Sequence, residues 1–202
     1  KANLLYKEAF MKHDPERRQQ YIDALLKGEV KVNAGALFPH EIVHKYVGEN
    51  YWGESAVKET DYFLESMWKA LPKKDASSRP VIVVRDGSGS MTWGNFAGSG
   101  TPLDVATALA IYMSEHNTGD WKDKFITFSS NPKIVDLSNC DSLADKVDLS
   151  LRESDCSNTN IYKTMMLILR TAKRNHTSAE DMPKMIVICS DMQFDGRSHN
   201  LN

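Results

Sequence analysis

The stretch that decides the fold is VIVVRDGSGSM, residues 81–91. Its first four residues are apolar and β-branched, and no polar residue lies between them. Such a run is typical of a strand that is buried on both faces, as in a parallel sheet covered by helices. Pro80 marks the start of this strand, and Gly87 and Gly89 mark its end. The pattern therefore predicts an α/β fold.

Three side-chain oxygen donors follow this strand at a spacing of two residues: Asp86, Ser88 and Ser90. In an extended, tightly turned loop they can converge at the carboxyl end of the strand, where open α/β sheets bind their ligands. A carboxylate and two hydroxyls are hard donors, which suit a cation such as Mg²⁺ and not Zn²⁺. The alternative is a Ser/Gly turn that holds no ligand.

The same loop does not match other ligand-binding or catalytic motifs. A P-loop requires Gly-Lys-Ser/Thr, whereas Ser90 and Met91 follow Gly89. A nucleophile elbow requires Gly-x-Ser-x-Gly, and neither Ser88 nor Ser90 has both glycines. A dinucleotide fingerprint requires a third glycine where Thr92 stands. Metal binding is therefore favoured over a Ser/Gly turn that holds no ligand.

The rest of this half alternates between predicted strands and helices. The pattern predicts a helix over 102–116, strands over 124–128 and 133–137, a short helix over 142–147, a helix over 161–173 and a strand over 184–190. The second and third strands are close enough in sequence to form a hairpin. This order fits a Rossmann-like sheet with one antiparallel edge strand, flanked by helices.

The first part of the chain, residues 1–72, predicts a small all-helical module. Proline and glycine punctuation predicts its helices over 3–12, 14–28, 39–48 and about 55–71. Residues 73–79 (KKDASSR) are polar and lack periodicity, which indicates a linker. The α/β domain then occupies residues 80–202.

One motif in the helical part has the form H-E-x-x-H: His40, Glu41 and His44. In zinc proteases two such histidines bind one metal ion and the glutamate activates water. Here Pro39 places His40 in the first turn of its helix, and no third ligand follows at the extended spacing. The downstream Glu65 could be the third zinc ligand, but no sequence feature distinguishes it from other glutamates. A packing or surface role is favoured, and a zinc-dependent hydrolase is kept as an alternative.

Composition and charge are those of an ordinary globular protein. The chain has 202 residues, 41% hydrophobic and 26% charged, with a net charge of -2. Residues 1–80 carry 13 Lys and Arg against 12 Asp and Glu, so this part lacks the basic excess typical of nucleic-acid binding. Three cysteines without a CxxC motif suggest reduced thiols and a cytoplasmic protein. No apolar run approaches the roughly twenty residues of a membrane span, so no membrane partner is expected.

Asp-x-Ser-x-Ser after an apolar strand resembles the metal-ion-dependent adhesion site (MIDAS) of von Willebrand factor type A (vWA) domains. The MIDAS pattern adds a threonine in a later loop and an aspartate after a later strand. Thr159, in SNTNIY before a helix, and Asp191, after the apolar run 185–189, stand in the corresponding order. The resemblance implies a Rossmann-like vWA sheet. Since vWA sheets continue beyond this point, we expect the domain to be incomplete at its C-terminus.

The resemblance also implies a role for each ligand. Ser88 and Ser90 would ligate Mg²⁺ or Mn²⁺ directly, and Asp86 and Asp191 mainly through water. Thr159 would ligate directly or through water. Such a site leaves one coordination position open, which an acidic side chain of a protein partner can fill.

Three further residues lie near these ligands in the sequence. Asp195 either supports the metal ligands without binding the ion itself or is a solvent-exposed charge in a loop. Trp93 and Phe96, in the glycine-rich segment 91–100, either fold back onto the core or form a recognition rim.

Longer segments resemble an uncharacterised family, domain of unknown function 2828, which is related to the Ro/TROVE proteins. They are FMKHDPERRQQYI (10–22), NAGALFPHEIV (33–43), RDGSGSM (85–91) and SDMQFD (190–195). In that family a helical module precedes a vWA domain. Ro proteins bind small non-coding RNAs through the helical module, which implies a structured small RNA as a second partner.

The leading hypothesis from the sequence is a non-enzymatic, divalent-metal-dependent protein-binding module. It would act within a ribonucleoprotein if the helical module binds RNA.

Overall fold

A four-stranded mixed sheet lies at the centre of the molecule. The structure, a computed structural model, describes residues 6–30, 32, 37–47, 57, 59–72, 80–94, 100–155 and 160–192. The strands are β1 (Val81–Asp86), β2 (Lys124–Phe128), β3 (Ile134–Asp136) and β4 (Met185–Cys189), in the sheet order β3-β2-β1-β4. β1 pairs in parallel with β2 and β4, and β2 pairs antiparallel with β3. The predicted α/β class, the hairpin and the antiparallel edge strand are confirmed.

The helices begin where local sequence signals place their caps. They are α1 (Lys7–His13), α2 (Pro15–Leu26), α3 (Pro39–Val47), α4 (Tyr62–Lys69), α5 (Pro102–Glu115), α6 (Leu143–Arg152) and α7 (Ile161–Asn175). Thr101 and Asp104 form a capping box at the start of α5. A second capping box starts α6, which runs to Arg152 and not only to Val147 as predicted. Within the described residues, no helix combines the length and apolar character that crossing a bilayer requires.

β1 is covered on both faces, as its sequence predicts. Ile82, Val83 and Val84 are buried, and successive side chains point to opposite faces of the sheet. Val83 belongs to the same buried cluster as Ile111 of α5. Ile82 and Val84 belong to another cluster, which includes Ile168 of α7. Helices therefore flank the sheet on both sides.

The N-terminal helices α3 and α4 bury their apolar faces in the cluster on the α5 side of the sheet. Ile42 and Tyr46 of α3 and Met67 of α4 are almost fully buried there, together with Val83 and Ile111. α3 contacts both α5 and α6. These helices and the sheet therefore share one continuous apolar core, while the predicted linker 73–79 lies outside the described residues.

The start of α4 differs from the predicted one near residue 55. Val57, Glu59 and Thr60 are not helical, and the helix begins at Tyr62. Asp61 stops it from extending further back, because its Oδ1 accepts the N–H groups of residues 63 and 64 at 2.9 and 3.3 Å. A side chain that caps the first turn in this way defines the helix start more strongly than apolar spacing does.

The Asp61 cap predicts a specific acid dependence of stability. Burial acts to raise the pKa of Asp61, but the ammonium of Lys7 and the N–H groups of Phe63 and Leu64 outweigh it and hold the pKa below its ordinary value of 3.8. A depressed pKa stabilises the folded state fully above the unfolded value, and this stabilisation is lost as the pH falls through the folded value. We expect Asp61→Asn to lower the free energy of unfolding at pH 7 and to flatten its decrease as the pH falls below the ordinary pKa of 3.8.

Urea unfolding at a series of pH values measures this effect. Asp23→Asn is the control, since Asp23 is exposed and its Oδ1 accepts a hydrogen bond from Gln19 Nε2 within the same helix. Equal acid dependence in Asp61→Asn and the wild type would contradict the prediction.

Candidate metal centre

The parallel pairing of β1 and β4 brings two polar strand ends together. The register pairs Arg85 with Cys189, so Asp86 and Ser190 follow at the same edge of the sheet. The Ser190 hydroxyl donates to Asp86 Oδ2 at 2.7 Å, and Asp86 is only 2% exposed. The half-buried Asp191 comes next in the chain. The predicted carboxylates Asp86 and Asp191 therefore lie at the same edge of the sheet.

The loop after β1 presents the two predicted hydroxyl ligands side by side. Asp86 Oδ1 accepts the Ser88 N–H at 2.9 Å, which turns the chain sharply. Ser88 Oγ and Ser90 Oγ are 3.1 Å apart. A short 3₁₀ turn over Gly89–Thr92 follows, and its buried Met91 anchors the loop in the core. The structure thus brings together the first three predicted ligands.

The donor set is chemically suited to a hard divalent cation. Asp86 Oδ1 accepts from the Ser88 N–H and Oδ2 from the Ser190 hydroxyl. Since a carboxylate offers about four lone-pair sites, acceptor capacity remains for an ion or its water. The described residues contain no group of three or more His, Cys, Asp or Glu side chains that could hold a metal ion. A site with two hydroxyl ligands is of another kind, and Mg²⁺ or Mn²⁺ fits its oxygen donors.

Several predicted site residues have no described position. Thr159, Asp195 and Phe96 lie outside the described residues. Asn160, the neighbour of Thr159, caps α7 by accepting the N–H of residue 163 at 2.9 Å. Trp93 is 77% exposed, so the alternative in which it folds back onto the core is wrong. Its place on a recognition rim stays a prediction.

The H-E-x-x-H residues have structural partners. His44 Nδ1 lies 2.9 Å from Oδ2 of Asp104, which is fully buried in α5. Glu41 Oε2 accepts the Phe38 N–H at 2.8 Å at the start of α3. The His40 ring stacks on the Phe38 ring at 5.7 Å. The arrangement supports the packing role for this motif.

Sequence reasoning did not single out Ser190 or Arg85. Ser190 orients Asp86, and its only sequence signal is a hydroxyl placed directly before Asp191. Arg85 is fully buried, and burial lowers its pKa to about 10, although the charge of Asp86 acts in the opposite direction. An arginine at the end of an apolar strand, directly before a ligand, is the signal that could have identified it.

The Ser190 contact predicts a measurable effect on the candidate ligand. Ser190→Ala removes the hydroxyl that orients Asp86, at a cost of about 1 kcal/mol for one hydrogen bond. We expect the affinity for Mg²⁺ to fall about fivefold while the fold is retained. Isothermal titration calorimetry measures this, with Ser138→Ala as the control. Wild-type affinity in Ser190→Ala would show that Asp86 needs no such support.

Two family models together match nearly the whole chain. The model described as Domain of unknown function (DUF7788) matches residues 80–202, and the one described as Domain of unknown function (DUF2828) matches residues 2–76. The second match confirms the predicted resemblance to domain of unknown function 2828 for the helical part.

A viral relative also matches. Uncharacterized protein L728 of Acanthamoeba polyphaga mimivirus is 30% identical over 178 residues, which is 87% of this chain and 28% of that protein. The chain therefore spans less than a third of the length of this relative. No solved structure matches the chain.

Proposed function

The chain belongs to the DUF7788 family through residues 80–202, and we propose that this domain is a non-enzymatic, divalent-metal-dependent protein-binding module of the vWA type. The observation that carries the proposal is the pair of hydroxyls, Ser88 Oγ and Ser90 Oγ, 3.1 Å apart. They lie beside Asp86, which is buried and held from two sides. The four-stranded mixed sheet with flanking helices is compatible with this type of domain.

The cation would be Mg²⁺ or Mn²⁺, held in a MIDAS arrangement. Ser88 and Ser90 would bind it directly and Asp86 through water. Asp191 and Thr159 would complete the ligand set, with Asp195 behind them. Such an ion prefers an octahedron and keeps several waters, so one position stays available to a partner.

The charge balance of the ligands indicates the chemistry of the partner. Asp86 and Asp191 together neutralise a divalent ion, and the hydroxyls of Ser88 and Ser90 add no charge. The ion therefore retains attraction for a third carboxylate, and we propose an acidic side chain of a protein partner as the group that it binds. Because Trp93 is 77% exposed and close in sequence to Ser90, it would supply an apolar contact around that carboxylate.

Titration of the metal-loaded chain with short peptides tests this function. We expect peptides that contain aspartate to bind in the presence of Mg²⁺ or Mn²⁺, and the same peptides with asparagine to bind much more weakly. Chelation and Ser88→Ala should each abolish the difference. Ser66→Ala is the matched control, because the Ser66 hydroxyl is exposed and donates to the carbonyl of Tyr62 within its own helix, α4. Binding that survives both chelation and Ser88→Ala would refute the proposal.

RNA binding by the helical part is the second candidate function. A cavity of about 490 Å³ between α1 and α2 is lined by Phe10, His13, Asp14, Arg17, Arg18 and Tyr21. Cationic and aromatic side chains together are the usual binding groups for unpaired nucleotides.

A gel shift with a structured small RNA at several salt concentrations tests this candidate. Binding that weakens with salt and with Arg17→Ala would support it. No binding at low salt would count against it. If both candidates hold, the chain would act in the cytoplasm as the protein-binding part of a ribonucleoprotein.

A further inference from the structure

A positive charge lies inside the core next to the candidate metal site. Arg85 is fully buried at the end of β1, directly before Asp86. Burying an arginine is costly unless its charge and its N–H groups are compensated. Arg85 forms no salt bridge with any of the described residues. Neutral groups around the guanidinium must therefore offset the cost of burying its charge.

The guanidinium contacts the C-terminal end of α6. One terminal nitrogen donates to the Ser150 carbonyl at 2.7 Å, in the last turn of the helix, where carbonyl groups lack helical partners and attract cations. Both terminal nitrogens also lie 3.1 Å from Ser154 Oγ, which accepts from them. The Phe125 ring lies 5.4 Å from the guanidinium carbon. Nε has no hydrogen-bond partner among the described residues.

The metal loop rests on the same serine. Gly87 follows directly after Asp86, the last residue of β1. A Cβ added to Gly87 would lie 3.0 Å from both Cα and Cβ of Ser154 and 3.2 Å from its Oγ. Real Cβ atoms rarely approach other atoms this closely, so the loop backbone at Gly87 packs closely against Ser154. Ser154 is therefore held between the Arg85 guanidinium and the backbone at Gly87.

Ser154 stands at the start of the segment that carries another predicted ligand. α6 ends at Arg152, and Thr159 follows Ser154 by five residues in the chain. We infer that Arg85 is a positioning residue of the cation site. By holding Ser154 against Gly87, it fixes the position of the Asp86 loop relative to the C-terminal end of α6. The inference rests on the proposed metal site.

The sign of the effect on metal affinity separates positioning from simple electrostatics. A buried cation repels a divalent ion, so its charge alone would weaken metal binding, and Arg85→Met would then bind Mg²⁺ more tightly than the wild type. A positioning role predicts the opposite result. Arg85→Lys keeps the charge but loses the planar fork that reaches Ser150 and Ser154 together. Ser154→Ala removes the shared acceptor while the charge and the helix remain.

Isothermal titration with Mg²⁺ on the whole chain tests the inference. We expect Arg85→Lys, Arg85→Met and Ser154→Ala to bind about tenfold more weakly, as is typical when residues behind metal ligands are replaced. Val147→Ala is the matched control, because Val147 is fully buried in the apolar core and lies on the same helix as Ser150. It should lose stability but keep wild-type affinity. Circular dichroism verifies folding, and Ser154→Ala decides the matter if the Arg85 variants do not fold.

Two other outcomes overturn the inference, and they differ in what they say of the proposed function. Wild-type affinity in Ser154→Ala, or tighter binding in Arg85→Met, would refute the positioning role alone and leave the metal site standing. If the wild type binds neither Mg²⁺ nor Mn²⁺, both the proposed function and the inference fail.

Discussion

Replacing Asp86 by alanine is expected to abolish the rise in the thermal midpoint that Mg²⁺ or Mn²⁺ produces in the wild-type chain. Asp86 is 2% exposed and accepts the Ser88 N–H and the Ser190 hydroxyl. The substitution therefore removes a charge of the site and the group that shapes its loop. An ion at a hundred times its dissociation constant stabilises a folded protein by about 2.7 kcal/mol. In a chain of this size, that corresponds to a rise of about 5–10 °C.

Thermal unfolding with chelator, and then with magnesium, manganese, calcium or zinc, measures this effect. The rise is compared within each variant, so a change in basal stability does not enter the result. Asp136→Ala is the matched control, since Asp136 ends β3, away from β1, and its carboxylate is partly exposed. It should keep the full wild-type rise. A rise that persists in Asp86→Ala would place the ion elsewhere, and a wild type that responds to no ion would leave the loop without a cation.

The largest expected loss of stability follows from Glu65→Ala. Glu65 Oε2 accepts the Leu143 N–H at 3.0 Å, and Oε1 accepts the Ala144 N–H at 3.3 Å, so this carboxylate caps the first turn of α6 from α4. Oε1 also accepts the hydroxyl of the fully buried Tyr46 at 2.8 Å. Burial, and then the hydrogen bond to Glu65, raise the pKa of Tyr46, so its hydroxyl stays protonated and needs an acceptor.

We expect Glu65→Ala to lower the free energy of unfolding by about 2 kcal/mol, because two N–H groups at the start of α6 lose their carboxylate acceptor. The Tyr46 hydroxyl also loses its charged acceptor and is left with the Asp61 carbonyl, 3.1 Å away. Tyr46→Phe removes the hydroxyl itself and should cost only about 1 kcal/mol. Urea unfolding followed by circular dichroism measures both. Glu59→Ala, at an exposed glutamate near the start of α4, should stay close to the wild type. If Glu65→Ala does so too, the two family-matched parts are not joined through this carboxylate.

The elements of the α/β part could be predicted because their signals are local. β2 has the predicted bounds, and α5 begins at Pro102, where the Thr101 cap and the proline indicate a start. The predicted start of α4 near residue 55 is too early, because the helix begins at the Asp61 cap and apolar spacing does not show where a cap lies. Of the candidate site, Asp86, Ser88 and Ser90 could be predicted together, since a spacing of two residues along one loop brings them close.

The sequence by itself determined the buried strand, the loop of three oxygen donors that follows it, and the alternation of strands and helices. These depend on interactions over a few residues, such as side-chain alternation, capping and turn geometry. Only the tertiary structure decided that Ser190 orients Asp86, that Arg85 holds Ser154, and that His44 contacts Asp104. These pairs are 104, 69 and 60 residues apart in the chain. The pairing of strands and the packing of helices bring these residues together, and neither can be predicted from the spacing of residues along the sequence.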